Sequence, residues 1–440
     1  MAPLRWIRRH VACNASFWGL IEYGCGPLIA LAAIPVLLHR LDTVGYGQYA
    51  MILAVAGFGN LANLGASVTA TKLVAERAHE PGGALRGAGV ASALIFCALA
   101  AVSVLTLAAA VMFAVAWPEA SFGNAPLFAL LPAALAMYLA QQLDQLYAGA
   151  LKGRERFTAT ALCECGGRVG ALTLACTAAW LTHSALWTAA AQSSGLLLSA
   201  GVKMLVFARG EGRYGVRPIA ERAAMKDAFR FSRWSWLHGV SALAFGSLDR
   251  VAVGSLMGPA ALALYAVGVQ VGQIIHTAAV AVFQKTMPRV NRLLVAPPSP
   301  GAAGEEIRRL MRWNLILSAA GTLALLAVSE PLLRWMLGPD KVAGQQWTFD
   351  LLILASGILS MNAAAHFSLL GLGNGRAVAL LNGLGGAAML VLMVVLAGPA
   401  GQNAAAIGRI AYAVITFAAV GLALRDSREH LPPPATIATR

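Results

Sequence analysis

The sequence predicts an all-α membrane protein of about twelve transmembrane helices, arranged as two halves of six. Three observations carry that prediction. Of 440 residues, 58% are hydrophobic and only 12% charged, about half the charge of an ordinary soluble domain. Charge-free apolar stretches recur along the whole length, and many reach the ~20 residues needed to cross a ~30 Å hydrocarbon core. The lysines and arginines are divided unequally between alternate connecting segments, as retention of cations on the cytoplasmic side requires.

The apolar runs, with turns marked by Pro126, Pro259 and glycine-containing segments, place helices at about 15–38, 48–71, 88–116, 126–149, 158–181, 184–207, 232–256, 259–284, 313–337, 347–371, 377–397 and 402–424. Met1 to His10 is basic (Arg5, Arg8, Arg9), and the apolar run after it shows no clear cleavage site. It reads as an uncleaved signal anchor. With the N-terminus inside, 26 of the 33 basic residues fall on the cytoplasmic side, three on the opposite side (Arg40, Arg334, Lys341) and four within helices (Arg168, Lys203, Arg250, Arg409). That bias predicts an N-in, C-in orientation. The two longest loops, about 209–231 and 285–312, are both cytoplasmic. The first divides an N-terminal bundle (1–208) from a C-terminal bundle (232–424), leaving 425–440 as a cytoplasmic tail. The second contains Pro297, Pro298 and Pro300, then Glu305 to Arg312, which suits a short surface helix. Neither loop has room for an ATPase or glycosyltransferase domain.

The net charge of +14 is spread between apolar stretches and forms no single patch, so it indicates a bilayer and not a nucleic acid as partner. All six cysteines fall at or inside apolar segments and read as packing residues; Cys163-Glu164-Cys165 lacks redox or zinc spacing. A phosphate-binding Gly-x-x-x-x-Gly-Lys-Ser/Thr loop, His-Glu-x-x-His and Gly-x-Ser-x-Gly are all missing. No catalytic residue and no metal site is therefore assigned. His39 to Asp42 places bases and an acid together, read as loop polarity. Tryptophans such as Trp117, Trp180, Trp187, Trp313 and Trp347 cluster near helix ends, as interfacial belts do.

Polar stripes interrupt the apolar helices. Asn60, Asn63, Ser67 and Thr71 share one face of the second helix; Gln192, Ser199 and Lys203 mark the sixth; Gln270, Gln273, Thr277 and Gln284 mark the eighth. Stripes on several helices suit a wet central cavity, while helix–helix hydrogen bonding is the alternative. A faint repeat links the halves: Leu41 to Ala50 joins helices one and two, and Met257 to Ala266 joins helices seven and eight. Only a small residue and a Tyr-Ala pair align, but they stand at the same place in each half. Transporters are often built from two such repeats with the site between them.

These segments resemble the polysaccharide-biosynthesis flippases, the O-antigen-flippase-like branch of the multidrug/oligosaccharidyl-lipid/polysaccharide exporter superfamily. Leu41 to Ala50 looks like that family's Leu-Gly-x-x-x-Tyr-Gly-x-Tyr-Ala segment, with Asp42 in place of the usual Gly. Asn63-Leu64-Gly65-Ala66-Ser67 is similar to the next helix end, with Asn63 where an acid is common. Leu248-Asp249-Arg250, Gly254, Gly258 and Leu264-Tyr265-Ala266 look like the start of the second half, and Leu337-Gly338-Pro339 like the loop after helix nine. The resemblance implies two six-helix bundles forming a V around a central cavity. It implies a non-enzymatic flippase of the bacterial inner membrane. By alternating access it would move an undecaprenyl-diphosphate-linked sugar unit outward, for O-antigen, capsule or exopolysaccharide. It implies no cofactor beyond H⁺ or Na⁺ coupling, and as partners the lipid-linked glycan, the bilayer, and polysaccharide polymerase and export machinery. A cation-coupled multidrug exporter of the same superfamily and a polytopic membrane enzyme of polysaccharide assembly are the alternatives.

Ionisable residues at membrane depth cost about 2.5–3.5 kcal/mol each on insertion scales and normally face a cavity or a partner. Arginine suits a diphosphate because its fork holds phosphate oxygens bidentately. Arg168, near the midplane of helix five, is the first choice for that contact, with an internal pair to Glu164 one turn earlier as the alternative. The two readings coexist if the carboxylate holds Arg168 until substrate competes. Arg409, Arg250 and Lys203 are further cationic candidates, and Asn60, Asn63, Gln192, Gln270 and Gln273 offer hydrogen bonds to sugar hydroxyls. Glu22, a lone carboxylate in an apolar helix, leads the candidates for proton coupling; a hydrogen bond tying helix one to a neighbour is equally open. Asp249 suits a gate or an inter-bundle contact. Asp144 suits coupling or a pair with Lys152 or Arg154. His276 and His366 suit proton relays or structural hydrogen bonds, His366 one turn after Asn362.

Overall fold

In lipid, a backbone can satisfy its own N–H and C=O groups only in helices or closed barrels, and this chain is built almost wholly of helices. The computed structural model describes residues 15–59, 66–295, 299, 301–342 and 344–429. Among them, nine helices are long and apolar enough to cross a membrane. The chain divides into two compact units, Met1–Ala266 and Val267–Arg440. This boundary of contacts lies later than the 209–231 divide expected from chain order, because residues around Gly254 pack against Met51 and Phe122.

The first unit contains α1 (Ala15–Gly59), α2 (Ala66–Glu76), α3 (Gly83–Ala116), a hairpin of β1 (Ser121–Phe122) and β2 (Ala125–Pro126), α4 (Leu127–Gly153), α5 (Phe157–Thr182) and α6 (Ala185–Gly210). It also takes the first part of α7 (Arg222–Phe283). α1 packs on α4, α5 and α6, while α2 packs on α3 and α4. Small residues bring these helices close: a side chain at Gly195 would strike Ala171 on α5, and one at Gly149 would strike the Ser67 backbone on α2.

The expected loop at 39–47 is an elbow inside a continuous helix. α1 turns at Asp42 (φ 60°, ψ −173°) and α7 turns at Gly258 (φ 84°, ψ 178°). These are equivalent positions of the faint repeat, in register with Tyr49 and Tyr265, so the repeat is one of backbone conformation. This backbone region is nearly exclusive to glycine. Gly258 fits it freely. Asp42 occupies it against a steric cost and contributes a cap, its Oδ1 accepting the Gly45 N–H at 2.8 Å. The two elbows touch, Gly47 lying against the Pro259 carbonyl. Beside them Gln48 Nε2 donates to Phe122 O at 2.8 Å, fixing the β-hairpin.

The second unit holds the rest of α7, then α8 (Thr286–Val295), α9 (Ala302–Leu337), α10 (Pro339–Val342), α11 (Gln346–Met361), α12 (Ala363–Gly371), α13 (Gly375–Ala400) and α14 (Asn403–Glu429). Val290 of α8 is buried with Ile307 and Met311 of α9, Leu369 of α12 and Ala423 of α14. Glu305 to Arg312, expected as a separate surface helix, forms the first turns of the long membrane helix α9. The helix expected at 347–371 is interrupted at Asn362 between α11 and α12. There Asn314 Nδ2 donates to Ser360 O at 3.1 Å and to Met361 O at 2.7 Å, covering carbonyls at the break.

The nine spans count each elbowed helix once and omit α5, which is 26 residues long and carries Glu164 and Arg168. Each elbow divides its helix into two arms, 15–41 and 43–59 in α1 and 222–257 and 259–283 in α7. Trp117, Trp180, Trp187, Trp313 and Trp347 are all more than half exposed, as interfacial side chains should be.

Candidate functional site

Three helices of the first unit bring their intramembrane charges to one place. α5 carries Glu164 and Arg168 one turn apart, α6 carries Ser199 and Lys203 one turn apart, and α4 supplies Asp144. The i,i+4 spacing puts each pair on one helix face, and Gly167 lets α5 approach Ser199. Lys203 Nζ lies 2.6 Å from Asp144 Oδ1 and 2.8 Å from Glu164 Oε1, and its side chain is fully buried. Ser199 Oγ donates to Asp144 Oδ1 at 2.7 Å. Arg168 Nε lies 3.3 Å from Glu164 Oε2; the Arg168 side chain is 39% exposed and that of Glu164 only 7%. The result is a chain of alternating charge, Asp144–Lys203–Glu164–Arg168, with no net charge. Three members are enclosed and the last is open. Gly26 of α1 leaves room for the Arg168 guanidinium, which any side chain at that position would strike.

The expected pair of Asp144 with Lys152 or Arg154 is replaced by the pair with Lys203, and Arg154 instead binds Glu211 at 2.8 Å. Lys203, expected among the substrate contacts, is enclosed by its two carboxylates. Gln192 accepts a hydrogen bond from Tyr49 Oη at 2.5 Å. Tyr265, the repeat counterpart of Tyr49, donates to buried Asp249 Oδ2 at 2.7 Å, while Asp249 Oδ1 accepts the Arg250 N–H at 2.7 Å. Asp249 thus ties the two arms of its elbow together. Arg250 is half-buried, and its Nε is buried without a hydrogen-bond partner among the described residues. Glu22's side chain, Asn60 and Asn63 lie outside the described residues. Their stripe-mate Thr71 Oγ1 sits 2.8 Å from Ser67 O and 3.0 Å from Gly149 O, a packing role between α2 and α4.

In the second unit, Gln270 is half-buried and Gln273 exposed. His276 Nδ1 is buried with no hydrogen-bond partner among the described residues. His276 lies within electrostatic reach of His366 and Arg409. His366 also meets Phe367 edge-on at 5.3 Å. Among the described residues no cluster of His, Cys, Asp or Glu could hold a metal ion. The roles of Tyr49 and Tyr265 were missed in the sequence; the Tyr-Ala pair shared by the repeats was the available signal.

Elbowed membrane helices repeated in two halves, with charges enclosed at membrane depth, define a multi-pass membrane protein with a transporter fold. The solved structures it is similar to bear this out. They include the inward-facing conformation of a multidrug resistance MATE family transporter of the MOP superfamily (TM-score 0.64, 12% identity, covering 95% of this chain and 94% of that one). The MATE multidrug transporter DinF-BH has a TM-score of 0.62 at 14% identity, covering 95% of each chain, and a MATE in complex with MaL6 has 0.60 at 12%, covering 94% of each. Residues 13–293 match the family of polysaccharide biosynthesis proteins, and the chain belongs to that family. No curated protein matches.

Proposed function

We propose that this protein is a flippase of the bacterial inner membrane. It carries an undecaprenyl-diphosphate-linked oligosaccharide or repeat unit from the cytoplasmic to the periplasmic leaflet, with both termini cytoplasmic. Its product serves surface polysaccharide assembly, and no bond is made or broken in the step. The observation that carries this reading is Arg168: in a polysaccharide biosynthesis family chain, an open guanidinium is fixed from behind by an enclosed carboxylate. Such a group can accept phosphate oxygens bidentately. When a diphosphate draws Arg168 away, Glu164 keeps only Lys203, and the site gains affinity for a cation. Uptake of H⁺ or Na⁺ at Glu164 or Asp144 then follows by linkage. Arg250 and Arg409 are the other cationic groups with capacity for an anion, and Gln192, Gln270 and Gln273 can serve sugar hydroxyls. The test is transport of a fluorescent undecaprenyl-diphosphate-linked glycan in proteoliposomes, comparing the natural protein with Arg168→Ala. Loss of transport in a folded variant supports the reading; transport undiminished by the substitution reduces Arg168 to a structural partner of Glu164. Saturable efflux of cationic dyes without glycan transport would favour the multidrug exporter reading, which the names of the structural neighbours make the runner-up.

A further inference from the structure

The start of α9 has two unlike faces. One face, with Ala303, Gly304, Ile307, Met311 and Asn314, is buried in the second unit. The opposite face, with Glu305, Arg308, Arg309, Arg312, Trp313 and Ile316, lines an open groove of ≈ 480 Å³. The lining residues recur every three or four positions, so they form one stripe along the helix. The stripe is ordered along the axis as an amphiphile is: an acid, three guanidiniums, an indole, then aliphatic side chains. Trp313 is 53% exposed, and below it Leu315, Ile316 and Leu317 are 46%, 58% and 53% exposed. Exposed aliphatics in a membrane helix face acyl chains, and a tryptophan at their edge marks the headgroup level. Arg312 precedes Trp313 by one residue and Arg308 by five, about 1.5 and 7.5 Å along the axis. Both therefore stand at the height of lipid phosphates.

The charges of this stripe are unequally used. Arg309 lies 3.8 Å from Glu306, and Glu306 is also held by Arg289 of α8 at 3.0 Å. Arg308 and Arg312 have no carboxylate within ion-pair distance among the described residues. Glu305, the one acid in the lining, stands about 12 Å up the axis from Trp313, beyond the arginines. A pair of unneutralised guanidiniums above an aliphatic stripe is complementary to a phosphate that carries acyl chains, and to no soluble anion in particular.

We propose that this groove binds the headgroup of an anionic glycerophospholipid in the leaflet that the basic segments face. Arg308 and Arg312 hold the phosphate, Trp313 lies at the glycerol level, and the acyl chains run down past Ile316. The proposal is independent of which substrate the protein moves.

The experiment uses the full-length protein in nanodiscs of phosphatidylcholine with graded phosphatidylglycerol, and counts the phosphatidylglycerol molecules retained by native mass spectrometry. Arg308→Gln/Arg312→Gln is compared with Arg308→Lys/Arg312→Lys. The natural protein should retain phosphatidylglycerol over phosphatidylcholine, with affinity falling as salt rises. The glutamine pair should weaken that affinity about thirtyfold, since each basic side chain near an anionic surface contributes about 1 kcal/mol; the lysine pair should keep most of it. Equal retention of the two lipids by the natural protein, or no loss in the glutamine pair, overturns the proposal. Displacement of phosphatidylglycerol by equimolar undecaprenyl diphosphate also overturns it, because the site would then belong to the carried lipid. The salt titration is read on the natural protein, so the test survives a variant that does not fold.

Discussion

Lys203 is the residue on which the charges inside the first unit depend. Its ammonium sits between Asp144 and Glu164 with no exposed surface, so removing it leaves two carboxylates enclosed without a counter-ion. Breaking a buried pair from one side costs about 3–5 kcal/mol, whereas replacing all partners together is far milder. Lys203→Met should therefore lower the thermal unfolding midpoint sharply in detergent, and adding Asp144→Asn with Glu164→Gln should recover part of the loss. A Lys203→Met variant that melts like the natural protein would remove the charge chain from the account of stability. Arg168 should behave in the opposite way. Its side chain is 39% exposed, and exposed pairs contribute about 0–1 kcal/mol. Arg168→Ala should melt close to the natural protein, and its deficit should lie in transport alone, read in the proteoliposome assay. The Glu164–Arg168 pair was legible in the sequence because one helical turn separates them. The Lys203–Asp144 pair was not, since 59 residues intervene and only the packing of α6 on α4 brings them within reach. Pairing Asp144 with its sequence neighbours was the natural inference from spacing alone, and tertiary contact overrode it.

At the scale of elements, the elbows explain why a weak repeat in sequence is a strong one in structure. The turn at Asp42 and Gly258 requires a particular backbone, not a particular side chain, so the residues around it are free to diverge. Asp42 in a glycine region carries roughly 1–3 kcal/mol of strain and returns about 1 kcal/mol as a cap on the following arm. Asp42→Gly gives up both, while Asp42→Ala gives up only the cap. The glycine variant should thus be more stable than the alanine variant by about 1–3 kcal/mol in thermal or denaturant unfolding; the reverse order would show that the elbow is unstrained. The break at Asn362 is a second kind of irregularity. No Pro or Gly announces it between Ser360 and Ala365, so the sequence reads as one helix from 347 to 371. The residue that accommodates it, Asn314, lies on another helix. Asn314→Leu leaves the Ser360 and Met361 carbonyls uncovered and should cost about 1–3 kcal/mol, measured as a drop in the unfolding midpoint. What the sequence conveyed well were the long apolar runs, their order and the two repeat segments in which the elbows fall. What it withheld were features set by a partner far away in the chain.

For the molecule as a whole, fold and activity are separate inferences. Structural neighbours at 12–14% identity share the path of the chain over 94–95% of their length, which a hydrophobic pattern and small interface residues can preserve while every cavity side chain changes. Function has to be argued from sites, and the cationic side chains, in a chain of the polysaccharide biosynthesis family, are what support the proposed carrier of anionic lipids over an exporter of cations. Orientation decides whether those cations can serve that purpose, because a lipid-linked glycan is made on one side of the membrane only. On the proposed orientation, which the bias of 26 basic residues against three supports, the 209–231 segment faces the cytoplasm and the β-hairpin connection between α3 and α4 faces the opposite side. Both segments present exposed positions: Glu119 before the hairpin, and Gly212 after α6. In a background with the native cysteines replaced, Glu119→Cys should react with a membrane-impermeant maleimide in intact spheroplasts. Gly212→Cys should react only after the membrane is opened. The converse pattern would invert the protein, setting the arginines of α9 in the outer leaflet and leaving the proposed direction of transport without support. Reaction of both cysteines from outside would mean that an even number of passes lies between them. Since α4, α5 and α6 are three helices in that interval, opposite labelling of the two positions is what three full crossings require, and equal labelling would show that one of the three, most plainly the charged α5, does not span.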